Sequence, residues 1–227
     1  MKGNKNYLLL FPTVFLLCIL FLSACSKVYT KSQSEEQIIP LQYSFARFTL
    51  GDTVAASPTI AYGVVLEKSE YAEVPDTLDF LSPDEIVGAH YHRKVTMQVK
   101  KGIKNCKEGD IITYWEAGGK TKDGRIYVNE GFDSAEPGDT ALVFITDYKI
   151  AFHMLPVEDK DGNVSIPKDF MIEEKYSELT DIPEPDPKDL NAELPMEEYL
   201  DKVEKVVREQ AEKILTADNR NGIPTMP

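Results

Sequence analysis

The side chains of this chain that could carry chemistry lie mostly between positions 90 and 163. His90 and His92 alternate along a stretch with strand periodicity, so both imidazoles point the same way and could begin a metal site. A metal needs at least one more ligand, which His153, the remaining histidine, or a carboxylate would have to supply. The face they share also carries Lys94, Thr96 and Gln98. Ligand count therefore favours a solvated surface pair, and no metal or cofactor is expected. Cys106 sits in Lys104-Asn105-Cys106-Lys107, among cations that would lower a thiol pKa. With no partner base nominated by the sequence, an incidental loop cysteine is the favoured reading. Asp159-Lys160-Asp161-Gly162-Asn163 has the start of a calcium loop, but Phe170 stands at loop position 12, where a glutamate is needed. A hairpin turn explains the Asp-Gly pair equally well.

One larger constellation stands out. Between Arg93 and Arg125 lie nine basic and four acidic residues, a basic island in a chain whose net charge is −13. Tyr114, Trp115 and Tyr127 are interleaved with it. Lys94, Lys100, Lys101 and Trp115 are the candidate ligand face, suited to an anion or a glycan. The competing reading is that these charges are merely solvated and Trp115 is core. Nucleophile elbows, phosphate-cradling glycine loops and paired-carboxylate signatures are absent, so no catalytic residue is nominated and the chain is not read as an enzyme.

The elements that must position this face read as short strands. Alternation marks Ile60–Leu66, with Ile60, Tyr62, Val64 and Leu66 on one face and Ala61 and Gly63 on the other. Tyr91–Val99 alternates more cleanly, with Arg93 the one misfit on its apolar row. Lys101-Gly102 reads as a turn, followed by Ile111–Glu116, Ile126–Val128, the continuous apolar run Ala141–Ile145, Ile150–Val157 and Val164–Pro167. The Ala141–Ile145 run implies a strand buried on both faces. Seven strands between Gly, Pro and Asp turns predict a mainly β fold, a small antiparallel barrel or sandwich spanning residues 41–179. Residues 180–195 carry four prolines among acids and read as an extended linker. Residues 196–215 predict an amphipathic helix with the stripe Leu200, Val203, Val207, Ala211 and Ile214. Its Glu198/Lys202, Asp201/Lys205, Glu204/Arg208 and Glu209/Lys213 pairs are in the favourable order. Residues 216–227 are expected to be a disordered tail.

The first residues give an address. Lys2 and Lys5 precede the apolar run 8–22, which is short for a membrane span, and Leu22-Ser23-Ala24-Cys25 closes it. This resembles a bacterial lipobox. The resemblance implies cleavage after residue 24, lipid transfer to the Cys25 sulfur, and a membrane-anchored protein of the cell envelope. Residues 25–40 turn polar at once and read as a flexible tether. Cys18 leaves with the signal and Cys25 is acylated, so Cys106 has no disulfide partner. The mature chain would carry 23 basic and 38 acidic residues, which argues against nucleic acid as a partner.

From Ile60 to Val157 the order of marks is Tyr62-Gly63-Val64-Val65, Val95–Gly102, Glu108-Gly109-Asp110, Glu116-Ala117-Gly118-Gly119 and Pro137–Ile145. This order resembles a domain of bacterial surface lipoproteins and the netrin-like domain of tissue metalloprotease inhibitors, an OB-type barrel. The resemblance implies an OB-like barrel, to which the helix read from the periodicity of residues 196–215 is appended. In those inhibitors it also implies a free N-terminal cysteine that chelates the target's zinc. Here Cys25 is expected to be lipidated and tethered, so that mechanism is not carried over. The functional expectation is a lipid-anchored, non-enzymatic module that engages an envelope polymer or protein through its basic-aromatic face. One alternative is an accessory subunit docking on a membrane complex by its C-terminal helix. A weaker one is a hydrolase whose site no motif reveals.

Overall fold

Alternation places one strand face inward and one outward, and the computed structural model bears this out along most of the chain. It describes residues 37–41, 48–80, 90–129, 134–151, 155–175 and 191–220, without the side chains of residues 41, 129, 169 and 217–220. Cys25, the signal segment, His153, most of the linker and the last seven residues lie outside the described residues. All but the first described residue fall in the compact unit Ile38–Pro227. The described residues are mainly β, in antiparallel sheets, with two helices. The strands are β1 (Gln37–Leu41), β2 (Thr59–Lys68), β3 (His92–Lys104), β4 (Ile111–Ala117), β5 (Gly119–Lys120), β6 (Arg125–Asn129), β7 (Thr140–Ile145), β8 (Asn163–Pro167) and β9 (Asn191–Pro195). The helices are α1 (Leu50–Ala56) and α2 (Met196–Arg220).

The central sheet has the order β4-β3-β2-β7, beside a β1-β6-β5 sheet and a β8-β9 pair. Its two edges, β4 and β7, are both bridged by the segment after β7. Ile150 bridges Trp115 of β4 in parallel, while Ala151 bridges Ile145 of β7 antiparallel. The Trp115 amide donates to the Lys149 carbonyl and the Ala151 amide to the Trp115 carbonyl, both at 2.8 Å. The ladders alone do not close. These single bridges link β4 to the segment after β7; of the expected Ile150–Val157 strand, residues 152–154 lie outside the described residues, and Val157 bridges Ala141.

Two cores meet at β2 and β7. Ala61, Val65, Val95, Met97, Val99, Tyr114, Ala141, Val143 and Ile145 fill the curled sheet. Ile60, Leu142 and Phe144 face the opposite way, into a layer made by Leu50, Val54, Val164, Ile166, Phe170, Tyr199, Leu200 and Val203. The Ala141–Ile145 run is therefore apolar because both of its faces are covered. In β2 the expected division holds at its start, with Ala61 in the core of the central sheet and the bulky Ile60 and Tyr62 facing the helical layer. Leu66 is about half exposed, at the register shift between Val65 and Glu67.

Other boundaries also move. β3 runs through the expected Lys101-Gly102 turn to Lys104, and the chain reverses at Asn105, whose φ is 52°. Gly102 is needed inside the strand because a Cβ there would lie 2.2 Å from the returning Cys106 carbonyl oxygen. Residues 191–195, expected as linker, form β9 on β8, with Leu194 opposite Val164 in the core and Pro195 at the strand end, where proline is tolerated. α1 starts on a Thr49/Asp52 capping box. Its C-terminal turn is capped from β3, where Lys104 Nζ donates to the Val54 carbonyl at 2.9 Å and burial lowers the lysine's pKa.

The stripe of α2 is half docked. Tyr199, Leu200, Val203 and Val206 are buried on the sheet, but Ile214 and Leu215 are 63 % and 62 % exposed. The helix continues past the expected end to Arg220. Lys205 pairs at 2.5 Å with Glu173, in the segment after β8, rather than in the expected pair with Asp201. Tyr199 is fully buried and its hydroxyl has no partner among the described residues. Burying an unpaired hydroxyl costs about 1–3 kcal/mol. Tyr199→Phe should therefore be at least as stable as the parent, by up to about 1 kcal/mol in urea unfolding. A loss above about 1 kcal/mol would mean that the hydroxyl is satisfied.

Candidate functional site

Of the four residues expected to share a ligand face, the structure brings two together. Lys94 of β3 and Trp115 of β4 are directly opposed in the ladder, so their side chains share the outer row. Lys100 lies on the same row about 20 Å further along. Its Nζ sits 5.9 Å from the centre of the Tyr62 ring and 3.2 Å from Thr140 Oγ1. Lys101 projects from the other row and pairs with Glu204 of α2 at 2.8 Å. The four-residue face is therefore corrected to the Lys94–Trp115 pair, since strand parity separates Lys101 and strand length separates Lys100.

The other candidates change character. His92 is buried, not solvated, because it opposes Ala117 at the end of the β3–β4 ladder, and its Nδ1–H donates to the His90 carbonyl at 2.9 Å. Among the described residues no three His, Cys, Asp or Glu side chains converge as a metal would require. The Cys106 thiol points back to β2 and donates to the Ile60 carbonyl at 3.2 Å. Burial pushes its pKa up, which reverses the expectation drawn from its lysine neighbours. Asp159 Oδ1 accepts from the Asp161 and Asn163 amides, both at 2.8 Å, so this carboxylate locks the turn into β8. Those bonds hold its pKa down, the Asn163 amide first. Asp123 is similarly held at about 2, chiefly by its bond to Arg125, whose guanidinium lies against the stacked rings of Tyr91 and Tyr127.

Sequence reasoning missed a buried charge cluster behind the Lys94–Trp115 pair. Arg93, the misfit on the apolar row of β3, faces Glu116 across the ladder and points to the same end of the curled sheet as Lys68. The Lys68 side chain is only 3 % exposed, and its Nζ lies 3.0 Å from Glu116 Oε1, 3.2 Å from Glu136 Oε1 and 2.8 Å from the Ala135 carbonyl. It also donates to Ser134 Oγ, and Arg93 Nη2 donates to the same oxygen at 3.0 Å. The Ser134 hydroxyl in turn donates to Glu116 Oε1. The stem of Arg93 lies over Gly119, where a Cβ would meet the side chain at 2.7 Å and φ is 114°.

Lysine, serine and glutamate in hydrogen-bond contact resemble nucleophile chemistry only superficially. Lys68 Nζ is fully engaged by Glu116, Glu136, Ser134 and the Ala135 carbonyl, so it is held as a structural donor. Both lone pairs of Ser134 Oγ already accept from cations, so attack through that oxygen is opposed. The arrangement instead clamps β2, β3 and β4 together at one end of the sheet, with two cations balanced by two carboxylates.

That clamped end presents exposed aromatic residues outward. Phe80, in the loop from β2 to β3, is 65 % exposed, and Tyr148, in the loop after β7, is 52 % exposed. Their ring centres are 5.7 Å apart, tilted by 43°. The second loop is tied to the Lys94–Trp115 row through the Lys149 carbonyl and the Trp115 amide. Lys149 holds this turn with φ at 58° and is exposed, as are Asp79 and Asp147 next to the two rings. Sequence carried only a faint signal for this pair, an aromatic after an aspartate in each of two loops. Only the topology brings the loops together. No family model, curated protein or solved structure matches the chain.

Proposed function

We propose that this chain is a non-enzymatic binding module, held by a lipid on Cys25 at a bacterial cell envelope, with its ligand face at the clamped end of the curled sheet. The observation that carries the reading is the exposed Phe80–Tyr148 pair, supplied by two separate loops beside Lys94 and Trp115. Solvent-facing aromatic side chains that touch each other across loops stay wet at a cost, and such patches mark interaction sites. The rigid network beneath them supports the same reading, since a preorganised face loses less entropy on binding. A net charge of −13 opposes nucleic acid as the ligand. No helix among the described residues is long and apolar enough to cross a membrane, so attachment in this reading rests on Cys25.

The soluble chain from residue 26 onward should be retained on isolated cell-envelope material. The Phe80→Ala/Tyr148→Ala variant should elute early while unfolding at the same denaturant concentration. Equal retention of the two proteins would remove the face from the proposal. For the anchor, mass spectrometry of the mature N-terminus should find a lipid-modified Cys25, and an unmodified N-terminus elsewhere would end it.

A second reading has its own observation. Ile214 and Leu215 are exposed at the end of α2, and Ile214 lines a cleft of about 650 Å³ with Val206, Lys104 and Lys213. An accessory subunit docking through this helix end fits that geometry, and Ile214→Asp would then abolish co-purification of a membrane partner.

A further inference from the structure

The geometry points to an uncharged oligosaccharide as the ligand of the Phe80–Tyr148 face, an inference that rests on the binding-module reading above. Three observations narrow the ligand class. The first is topology. The sheet order β4-β3-β2-β7, with Ile150 bridging β4 in parallel, follows the strand order of a five-stranded, partly open Greek-key barrel. Such barrels bind oligonucleotides and oligosaccharides on the face of their second and third strands, between the loop joining strands one and two and the loop joining strands four and five. Here the second and third strands are β3 and β4, which present Lys94 and Trp115. The first loop holds Phe80 and the second holds Tyr148 and Lys149.

The second observation is charge. Lys94 and Lys149 are matched by Asp79 and Asp147 beside the rings, and all four are exposed. A nucleic acid strand needs a cationic groove along its phosphates, and two carboxylates next to the stacking rings oppose one. An anionic lipid surface is disfavoured for the same reason. The third observation is the pairing of chemistries. A pyranose ring offers an apolar C–H face and a rim of hydroxyls that both donate and accept. Exposed rings of Phe80, Tyr148 and Trp115 suit the first, and a mixture of aspartate and lysine suits the second.

The probe is envelope polysaccharide freed of protein by protease and of lipid by solvent extraction, then immobilised. Full-length mature chain should be retained on it. Soluble oligosaccharides released from the same polymer by partial acid hydrolysis should compete it off. Phe80→Ala/Tyr148→Ala should weaken the affinity about tenfold or more, the loss of roughly one stacking contact per ring. If the extracted protein or the lipid, reconstituted as vesicles, retains the chain while the polysaccharide does not, the sugar assignment is overturned and the binding-module reading stands. Failure of all three fractions to retain it would overturn both.

Discussion

Glu116→Ala should destabilise the fold by about 3–5 kcal/mol in guanidinium unfolding, more than its modest size suggests. The loss comes from what remains behind. Lys68, its side chain almost wholly buried, would keep Glu136 as its one carboxylate partner among the described residues, mostly in solvent, and the Ser134 hydroxyl would lose its acceptor. A buried charge deprived of its partner is costlier than the pair is favourable. The double replacement Lys68→Met/Glu116→Leu should therefore recover most of the loss, ending within about 1 kcal/mol of the parent. A Glu116→Ala variant that unfolds with the parent's midpoint would mean that the cluster is no clamp. The variant's effect on the ligand face should follow, since Arg93 and Glu116 back the Lys94–Trp115 row.

Phe144→Ala should cost about 3–5 kcal/mol, a large share of the roughly 5–15 kcal/mol that stabilises a domain. Its ring is fully buried between β7 and the helical layer and meets Phe170 edge-on, with centres 5.8 Å apart at 89°. The cavity would open where α1, α2 and β8 converge on the sheet, so α2 should loosen as well. Hydrogen exchange should accelerate in residues 199–206 of α2 more than in β3. Uniform acceleration across both would mean that sheet and helix open as one unit, without a separable outer layer.

What the sequence revealed of this architecture follows local periodicity, and what it concealed follows contacts between distant segments. The alternation of β3 and the 3.6-residue stripe of α2 were legible because each depends on one core face. The doubly buried β7 was legible from five successive apolar residues. β9 was not, because an acidic, proline-flanked pentapeptide becomes a strand only when Leu194 finds Val164. The Lys101-Gly102 turn failed because glycine there answers a close approach by Cys106 and not a reversal. Arg93 looked like a misfit until Glu116 appeared across the ladder and Lys68, 48 residues from that acid, closed the cluster. Of the candidate site, Lys94 and Trp115 were readable from composition. Phe80 and Tyr148 were not, since two loop aromatics become a pair only when distant segments meet, as at the Trp115–Ile150 bridge.

Trp115 is the only tryptophan in the chain, and it lies half-buried on the proposed face, so its fluorescence reports on that face alone. Titrating the mature protein with soluble oligosaccharides released from envelope polysaccharide should shift the Trp115 emission saturably. The same titration of Phe80→Ala/Tyr148→Ala should need about tenfold or more ligand to reach the same change. An emission that stays flat while the protein still binds the polymer would place the binding surface elsewhere and contradict the assignment of this end of the sheet.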